Sequence, residues 1–240
     1  MKLKTRIKAT LLVAGIVLFA SHFVKAQDVD TTKKSKVDFT ANVDVYSRYI
    51  WRGAQIGTSP SIQPTMKMVV YDKLTLGYWG AYQFDGIYPE SDLYVSYALP
   101  KGFGVTFTDY FISGNDLAIG DYFEFNDTVT LHTMEGSLTY TGPEKFPLSL
   151  LFGYNFYGTD AYVGSMYAEA SYPIKNLTLI VGAGNEVYTG KTESDWGIVN
   201  VGAKIVKTIK ITKDFSLPVT GQLMLNPNSK KLYYAIGISF

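Results

Sequence analysis

Hydrolysis is the first chemistry to consider, because a histidine beside a serine can activate the serine hydroxyl as a nucleophile. The chain has two histidines, His22 and His132, and His22 lies in an apolar N-terminal segment. A nucleophile, a base and a group that orients the base are needed together. Two residues after His132, on the same face of a strand, stands Met134, where a membrane phospholipase would have serine. We therefore predict no catalytic residue and no enzyme, and a lipid-modifying enzyme that uses His132 is the least favoured alternative.

Metal chemistry would depend mainly on acidic side chains, because the chain contains no cysteine and only two histidines. Four acids without a basic neighbour lie between residues 114 and 130: Asp116, Asp121, Glu124 and Asp127. Their spacing does not match an EF-hand, and no zinc-ligand set, phosphate loop or dinucleotide fingerprint occurs. We predict no metal site and no cofactor. The acidic segment is expected to be a solvated loop, with calcium binding and a role as a constriction as alternatives.

Arginine alternates with aromatic residues in the stretch V-D-V-Y-S-R-Y-I-W-R-G, residues 43–53. Side chains of a strand point to opposite faces with a period of two. Tyr49 and Trp51 therefore share an apolar face, whereas Arg48 and Arg52 share a polar face. One face suits an apolar medium and the other suits water. That apolar medium is either a protein core or a lipid bilayer.

The N-terminus has the order of a secretory signal: a basic region, an apolar run of about a dozen residues and a small-residue cleavage site. The apolar run is too short for a transmembrane helix of about 20 residues. We predict that residues 1–26 are a cleaved signal peptide and that residues 27–35 are a short periplasmic lead-in. Five of the 22 Lys and Arg residues but none of the 21 Asp and Glu lie in residues 1–26, so the rest has a net charge of −4. This mild acidity disfavours a nucleic-acid partner.

The remaining chain, residues 36–240, alternates in nearly every segment, and turn residues separate the segments. About twelve segments have lengths close to the 9 to 11 residues of a tilted membrane strand. We predict an all-β, antiparallel, up-and-down transmembrane barrel of about twelve strands, with ten or fourteen as alternatives. Asp109 falls on the apolar face, which indicates a bulge or a register error nearby. The predicted strands are 36–52, 61–71, 74–84, 92–99, 103–112, 131–141, 148–157, 162–172, 177–188, 196–206, 216–226 and 232–240.

The connections between these segments alternate between short and long, as in outer-membrane barrels with short periplasmic turns. An even strand number then places both termini in the periplasm. A soluble sandwich also alternates, but aromatic residues at strand ends on the apolar face and the export signal favour lipid. We predict a lipid-interface girdle that includes Tyr49, Trp51, Tyr234 and Phe240. The terminal strand, which ends on Phe240, is expected to contact the outer-membrane assembly machinery.

The polar face would line the lumen of such a barrel. Rings of charge in a lumen select ions by sign, whereas charges buried in a narrow interior are expected to pair and plug it. Both interpretations stay open, and if the lumen is open, small cations should be modestly preferred. The predicted lumen and pore residues are Asp44, Arg48, Arg52, Lys67, Asp92, Glu135, Glu169, Glu186 and Lys204.

Four segments carry a family resemblance: S-R-Y-I-W-R-G, S-P-S-I-Q-P, G-Y-W-G-A-Y and E-S-D-L-Y-V-S-Y, which lie within residues 40–112. In these segments the chain resembles the TorF-type porins of Gram-negative bacteria. The resemblance implies an outer-membrane barrel that can serve as a pore, and it implies no substrate. We expect a passive porin-like channel for small polar solutes or ions, in contact with outer-membrane lipid. A closed structural or adhesion barrel is the main alternative.

Overall fold

The computed structural model describes residues 36–113, 120–191 and 195–240, so the predicted signal peptide and lead-in lie outside the described residues. The described residues form a closed antiparallel barrel of twelve strands and a separate two-stranded hairpin. No helix in these ranges is long and apolar enough to cross a membrane. The fourteen strands are β1 (Val37–Tyr46), β2 (Tyr49–Trp51), β3 (Ala54–Ile56), β4 (Ser61–Val70), β5 (Leu74–Gln83), β6 (Glu90–Ala98), β7 (Phe103–Ile112), β8 (His132–Thr141), β9 (Ser149–Tyr157), β10 (Met166–Ile174), β11 (Leu177–Gly184), β12 (Gly197–Lys210), β13 (Ser216–Asn226) and β14 (Lys231–Ser239).

The barrel is of the up-and-down type, because each wall strand pairs with the wall strand before it and β14 closes onto β1. The predicted all-β, antiparallel, up-and-down barrel and the predicted number of twelve strands are confirmed. Short turns join the strands at one end of the barrel. In the turn from β4 to β5, Tyr71 and Asp72 both have positive φ, and the Lys73 amide donates to the carbonyl oxygen of Val70. This geometry matches the twist of the flanking strands.

The outer face of the barrel is apolar. Many apolar side chains that point outward are more than one third exposed, and they lie on strands all around the wall, whereas a soluble protein rarely exposes an apolar surface of this extent. The alternating apolar exterior therefore suits the hydrocarbon region of a bilayer. Representative outward side chains are Phe39, Met66, Val95, Phe107, Leu138, Phe152, Leu179, Ile205, Leu223 and Ile236.

Register is regular except at two places. One shift lies between Gly182 and Ala183 on β11, and the other lies between Met134 and Glu135 on β8. Met134 is the partner of Asp109 on β7. The irregularity expected near Asp109 is therefore present on the neighbouring strand, and Asp109 itself still faces outward.

The first wall strand ends at Tyr46 and not at residue 52 as predicted. The chain then leaves the wall, and β2 and β3 pair with each other inside the barrel through a tight turn at Arg52 and Gly53, both of positive φ. We call residues 47–60 the lumen hairpin. A Cβ on Gly53 would lie 1.9 Å from the carbonyl oxygen of Val199 on β12. Glycine is therefore needed where the hairpin tip approaches the barrel wall.

Candidate functional site

The lumen hairpin crosses the interior of the barrel. At its base, the Ser47 amide donates to the carbonyl oxygen of Ile236 on β14, at 2.8 Å. At its tip, the Asn226 side-chain amide on β13 donates to the carbonyl oxygen of Gly53, at 3.0 Å. On the other side of the lumen, the Tyr49 ring packs 5.4 Å from the Trp79 ring on β5. The hairpin is thus fixed to several sides of the wall.

The strongest polar contact of the hairpin joins Arg52 to Glu135 on β8. The guanidinium donates to both carboxylate oxygens, at 2.5 Å and 2.9 Å, and also to the Tyr188 hydroxyl, at 2.6 Å. The Tyr110 hydroxyl lies 3.4 Å from the same carboxylate. The two side chains are 9% and 2% exposed. Two-point pairing between an arginine and a carboxylate fixes geometry as well as charge.

Aromatic rings enclose the Arg52 guanidinium. Its central carbon lies 4.6 Å from the centre of the Trp51 ring, 4.6 Å from that of Tyr167 and 5.7 Å from that of Tyr188. Cations are stabilised over such rings, and more so where water is excluded. Burial raises the pKa of the Tyr188 phenol, which lies in the turn after β11, while Arg52 opposes that shift. The phenol therefore stays neutral beside the cation.

A second polar network lies beside this cluster on β10 and β12. The Tyr167 hydroxyl donates to Glu169, at 2.5 Å, and the Asn200 amide donates to both of them, at 3.1 Å. Tyr167 and Asn200 are buried. The hydrogen bonds fix the Tyr167 ring, which forms one face of the Arg52 environment.

Most of the predicted lumen residues lie on inward-facing positions of the wall. These are Asp44, Lys67, Asp92, Glu135, Glu169 and Lys204. Asp92 is buried next to Glu90 on β6, and its Oδ1 atom has no hydrogen-bond partner among the described residues. Of the predicted lumen residues, Arg52 and Glu135 form a salt bridge. The predicted residues as a group do not form one ring of charge around the lumen.

Three of the predicted lumen residues do not lie on strands of the barrel wall. Arg52 is in the lumen, but it stands at the tip of the hairpin. Arg48 lies at the start of the hairpin, and its guanidinium donates to the carbonyl oxygen of Ser47. Glu186 lies in a 3-10 turn (Glu186–Tyr188) after the end of β11, close to Gly164.

The prediction that Tyr49 and Trp51 face lipid is wrong. Tyr49 is 5% exposed, and the Trp51 ring lies edge-on to Tyr110 on the inner face of β7. The physical reason is that the chain leaves the wall after Tyr46, so alternation in this stretch no longer separates lipid from lumen. Tyr234 and Phe240 are 73% and 61% exposed on the outside, consistent with the predicted girdle.

Tyr110, Tyr167 and Tyr188 complete the site but were not among the predicted site residues. Tyr110 shares the polar face of its strand with Thr106 and Thr108, so alternation alone could have assigned it to the lumen. No sequence pattern indicated that Tyr188, in a turn, reaches the same guanidinium.

His132 lies on the outer face at the start of β8 and not in the lumen. Its Nδ1 atom is 2.8 Å from Asp109 Oδ1, and its Nε2 atom is 2.7 Å from the carbonyl oxygen of Tyr122. A general base for hydrolysis needs a ring nitrogen that faces a hydroxyl. In this structure the two ring nitrogens face a carboxyl oxygen and a backbone carbonyl oxygen and not a hydroxyl. Among the described residues, no group of three or more His, Cys, Asp or Glu side chains could hold a metal ion.

Comparisons with known proteins show similarity to solved structures but to no family model or curated protein. Among solved structures, the chain is similar to the outer membrane protein OprD from Pseudomonas aeruginosa, with 15% sequence identity and a TM-score of 0.36. The match covers 86% of this chain and 65% of that chain, so the chain spans just under two thirds of the length of OprD.

Proposed function

We propose that the chain is an outer-membrane barrel that forms a narrow porin-like channel for small polar solutes or ions, and that the lumen hairpin constricts this channel. The observation that carries the proposal is the hairpin tip held inside the barrel by Arg52 and Glu135. A hairpin that crosses a polar lumen narrows the path to the space beside it. The resemblance of residues 40–112 to the TorF-type porins supports the same assignment.

The apolar exterior supports the membrane assignment. A closed barrel satisfies all wall hydrogen bonds internally, which a membrane-spanning chain requires. In this assignment the short turns, the start of β1 and the end of β14 face the periplasm. The exposed Phe240 at the end of β14 would be presented to the assembly machinery of the outer membrane.

The lumen outside the hairpin region supports a channel. Its wall is polar, and many of its side chains towards the short-turn end are half-buried or exposed. Because Arg52 and Glu135 neutralise each other, the remaining inward charges include more acids than bases, so small cations should be modestly preferred. Inward side chains of this region include Thr40, Lys67, Ser96, Thr106, Lys204 and Gln222.

A closed structural barrel is the second candidate, and the burial around the hairpin favours it. Glu135, Tyr167 and Val199 are almost fully buried where the hairpin meets the wall. Dense packing of this kind is compatible with a plug that never opens.

Planar-bilayer recordings distinguish the two candidates. We expect small cation-selective steps from the purified protein, weaker selectivity after Glu169→Gln, and several-fold larger steps when residues 48–57 are replaced by a Gly-Ser linker. Tyr234→Ala, which alters only the outer face, is the matched control and should leave the conductance unchanged. If the wild type does not conduct, the channel proposal is wrong and the closed barrel is correct; conductance that appears only in the linker variant would identify the hairpin as its plug.

A further inference from the structure

We propose that the barrel wall carries a binding site for a guanidinium cation, and that the Arg52 side chain occupies this site as an internal ligand. We call Glu135, Tyr167 and Tyr188 the cation site. The inference concerns the lumen of the proposed channel, but it needs only the folded barrel and holds whether or not the lumen conducts.

The chemistry of the cation site matches a guanidinium group. A guanidinium is a planar fork of donors that pairs with both oxygens of a carboxylate and stacks on aromatic faces. Glu135 supplies the two oxygens, the Tyr188 hydroxyl accepts a further hydrogen bond, and Tyr167 supplies the stacking face. An ammonium would satisfy the charge but not the planar geometry.

Two wall glycines leave room for the cation site. A Cβ on Gly153 of β9 would lie 2.7 Å from the carboxyl group of Glu135, and a Cβ on Gly182 of β11 would lie 2.2 Å from the hydroxyl oxygen of Tyr167. Side chains at these positions would displace the carboxylate and the phenol. The wall is thus built around the two groups that hold the cation.

The site and its occupant come from different parts of the fold. Glu135 is on β8, Tyr167 is on β10, and Tyr188 is in the turn after β11, whereas Arg52 is supplied by the lumen hairpin. Removal of the arginine side chain would leave the Glu135 carboxylate buried and unpaired, which is strongly unfavourable. An emptied site is therefore expected to take up a small planar cation from solution.

Arg52 is tethered to the wall by the hairpin, so its effective concentration at the site is high, about millimolar for short flexible linkers. A free ligand therefore competes poorly in the wild type. The direct test uses Arg52→Ala, in which the site is emptied and the aromatic and carboxylate groups remain.

The experiment measures thermal unfolding of the Arg52→Ala protein in detergent at increasing concentrations of guanidinium chloride up to tens of millimolar. Ligand that binds only the folded state raises the midpoint saturably. We expect a rise of about 2 to 4 °C. Sodium chloride controls for ionic strength, and urea controls for shape because it is planar but neutral.

The Arg52→Ala/Glu135→Gln double variant is the matched control and should show no saturable rise. Equal effects of guanidinium, sodium and urea on Arg52→Ala, or the same guanidinium effect on the double variant, would overturn the inference. If Arg52→Ala does not fold unaided, recovery of its heat-modifiable gel band becomes the measurement. Recovery with guanidinium but not with sodium supports the site, and no recovery overturns it.

Discussion

The His132 imidazole and the Asp109 carboxylate are bonded to each other on the outward-facing side of β7 and β8, with 2.8 Å between Nδ1 and Oδ1. The second ring nitrogen faces the carbonyl oxygen of Tyr122, at 2.7 Å. A carbonyl oxygen can only accept, so Nε2 donates to Tyr122, and Nδ1 is left to hydrogen-bond the Asp109 carboxyl group. The Phe125 ring stacks on the imidazole, at 4.4 Å. The pair thus holds residues 120–131, which we call the outer loop, against the barrel.

Replacement of His132 by alanine should release the outer loop, because the loop loses its hydrogen bond through Tyr122 and its stacking partner for Phe125. We expect chymotrypsin to cleave after Phe123 or Phe125 about tenfold faster in folded protein in detergent. Asp109→Asn should give a smaller increase, since the neutral amide still accepts a hydrogen bond. Tyr234→Ala, on a distant part of the outer face, is the control. Unchanged cleavage of the His132 variant would show that the loop is held by other contacts.

The Tyr122 phenol should titrate at unusually high pH. Burial first, and then the nearby Asp109 carboxylate, raises the pKa of Tyr122 to about 12. Because a raised folded pKa stabilises the neutral form, this phenol supports the loop fully below the usual tyrosine value of about 10, and the support is lost as the pH rises to 12. The ultraviolet difference between wild type and Tyr122→Phe should show a midpoint near 12. A midpoint near 10 would mean that the phenol is solvated.

Glu135→Gln should cost far more stability than the removal of both charges. The single variant leaves the Arg52 guanidinium buried without a counter-charge, which costs about 3 to 5 kcal/mol, whereas apolar replacement of both partners is often nearly neutral. Denaturant unfolding in detergent of Glu135→Gln and of Arg52→Met/Glu135→Leu measures the difference. Lys67→Gln, at an accessible inward position, is the control and should stay within about 0.5 kcal/mol of wild type. Equal losses for the single and double variants would contradict the pairing.

Gly53→Ala should disturb the lumen hairpin more than Gly190→Ala disturbs its own loop. Both glycines have positive φ, +78° and +69°, so both variants pay a similar backbone cost of about 1 to 2 kcal/mol. Only at Gly53 would the new Cβ collide with a backbone atom, the Val199 oxygen, whereas no atom of the described residues lies within 4 Å of a Cβ at Gly190. We expect Gly53→Ala to lose about 1 to 3 kcal/mol more. Similar unfolding free energies for the two variants would indicate that the hairpin tip is loosely held.

The barrel could be predicted from the sequence because its signal is local. Alternation along each strand depends only on neighbouring residues, and the positions of strands such as β4 and β7 agree with the predicted ranges within a residue. The lumen hairpin could not be recognised in this way, because β2 alternates as a wall strand would. Only the Arg52–Gly53 turn distinguishes it, and a turn does not reveal on which side of the wall the chain continues.

The candidate site was only partly predictable for the same reason. Alternation assigned Glu135 to the lumen correctly, but its partner Arg52 is 83 residues away in sequence. Alternation also showed that Asp109, a charged residue, falls on an apolar face. Its explanation depends on a histidine of the next strand and a carbonyl of the loop between them, which are brought together by tertiary packing.

The position of Trp51 distinguishes the lumen hairpin from the sequence-based prediction of a lipid-facing residue. The chain has three tryptophans, Trp51, Trp79 and Trp196, so a single-tryptophan protein with phenylalanine at positions 79 and 196 reports on Trp51 alone. In vesicles of brominated lipids, a tryptophan at the outer face is quenched by bromine on the acyl chains. Trp51 packs edge-on against the inward ring of Tyr110, so we expect its fluorescence to change by less than about one tenth.

The matched control carries its only tryptophan at position 234, through Tyr234→Trp with phenylalanine at position 51 as well. Tyr234 is 73% exposed on the outer face, so this tryptophan should lose most of its fluorescence in the same vesicles. If Trp51 were quenched as strongly as the tryptophan at position 234, the stretch after Tyr46 would belong to the wall. Arg52 could then not reach Glu135, and both the constricted channel and the cation site would be wrong.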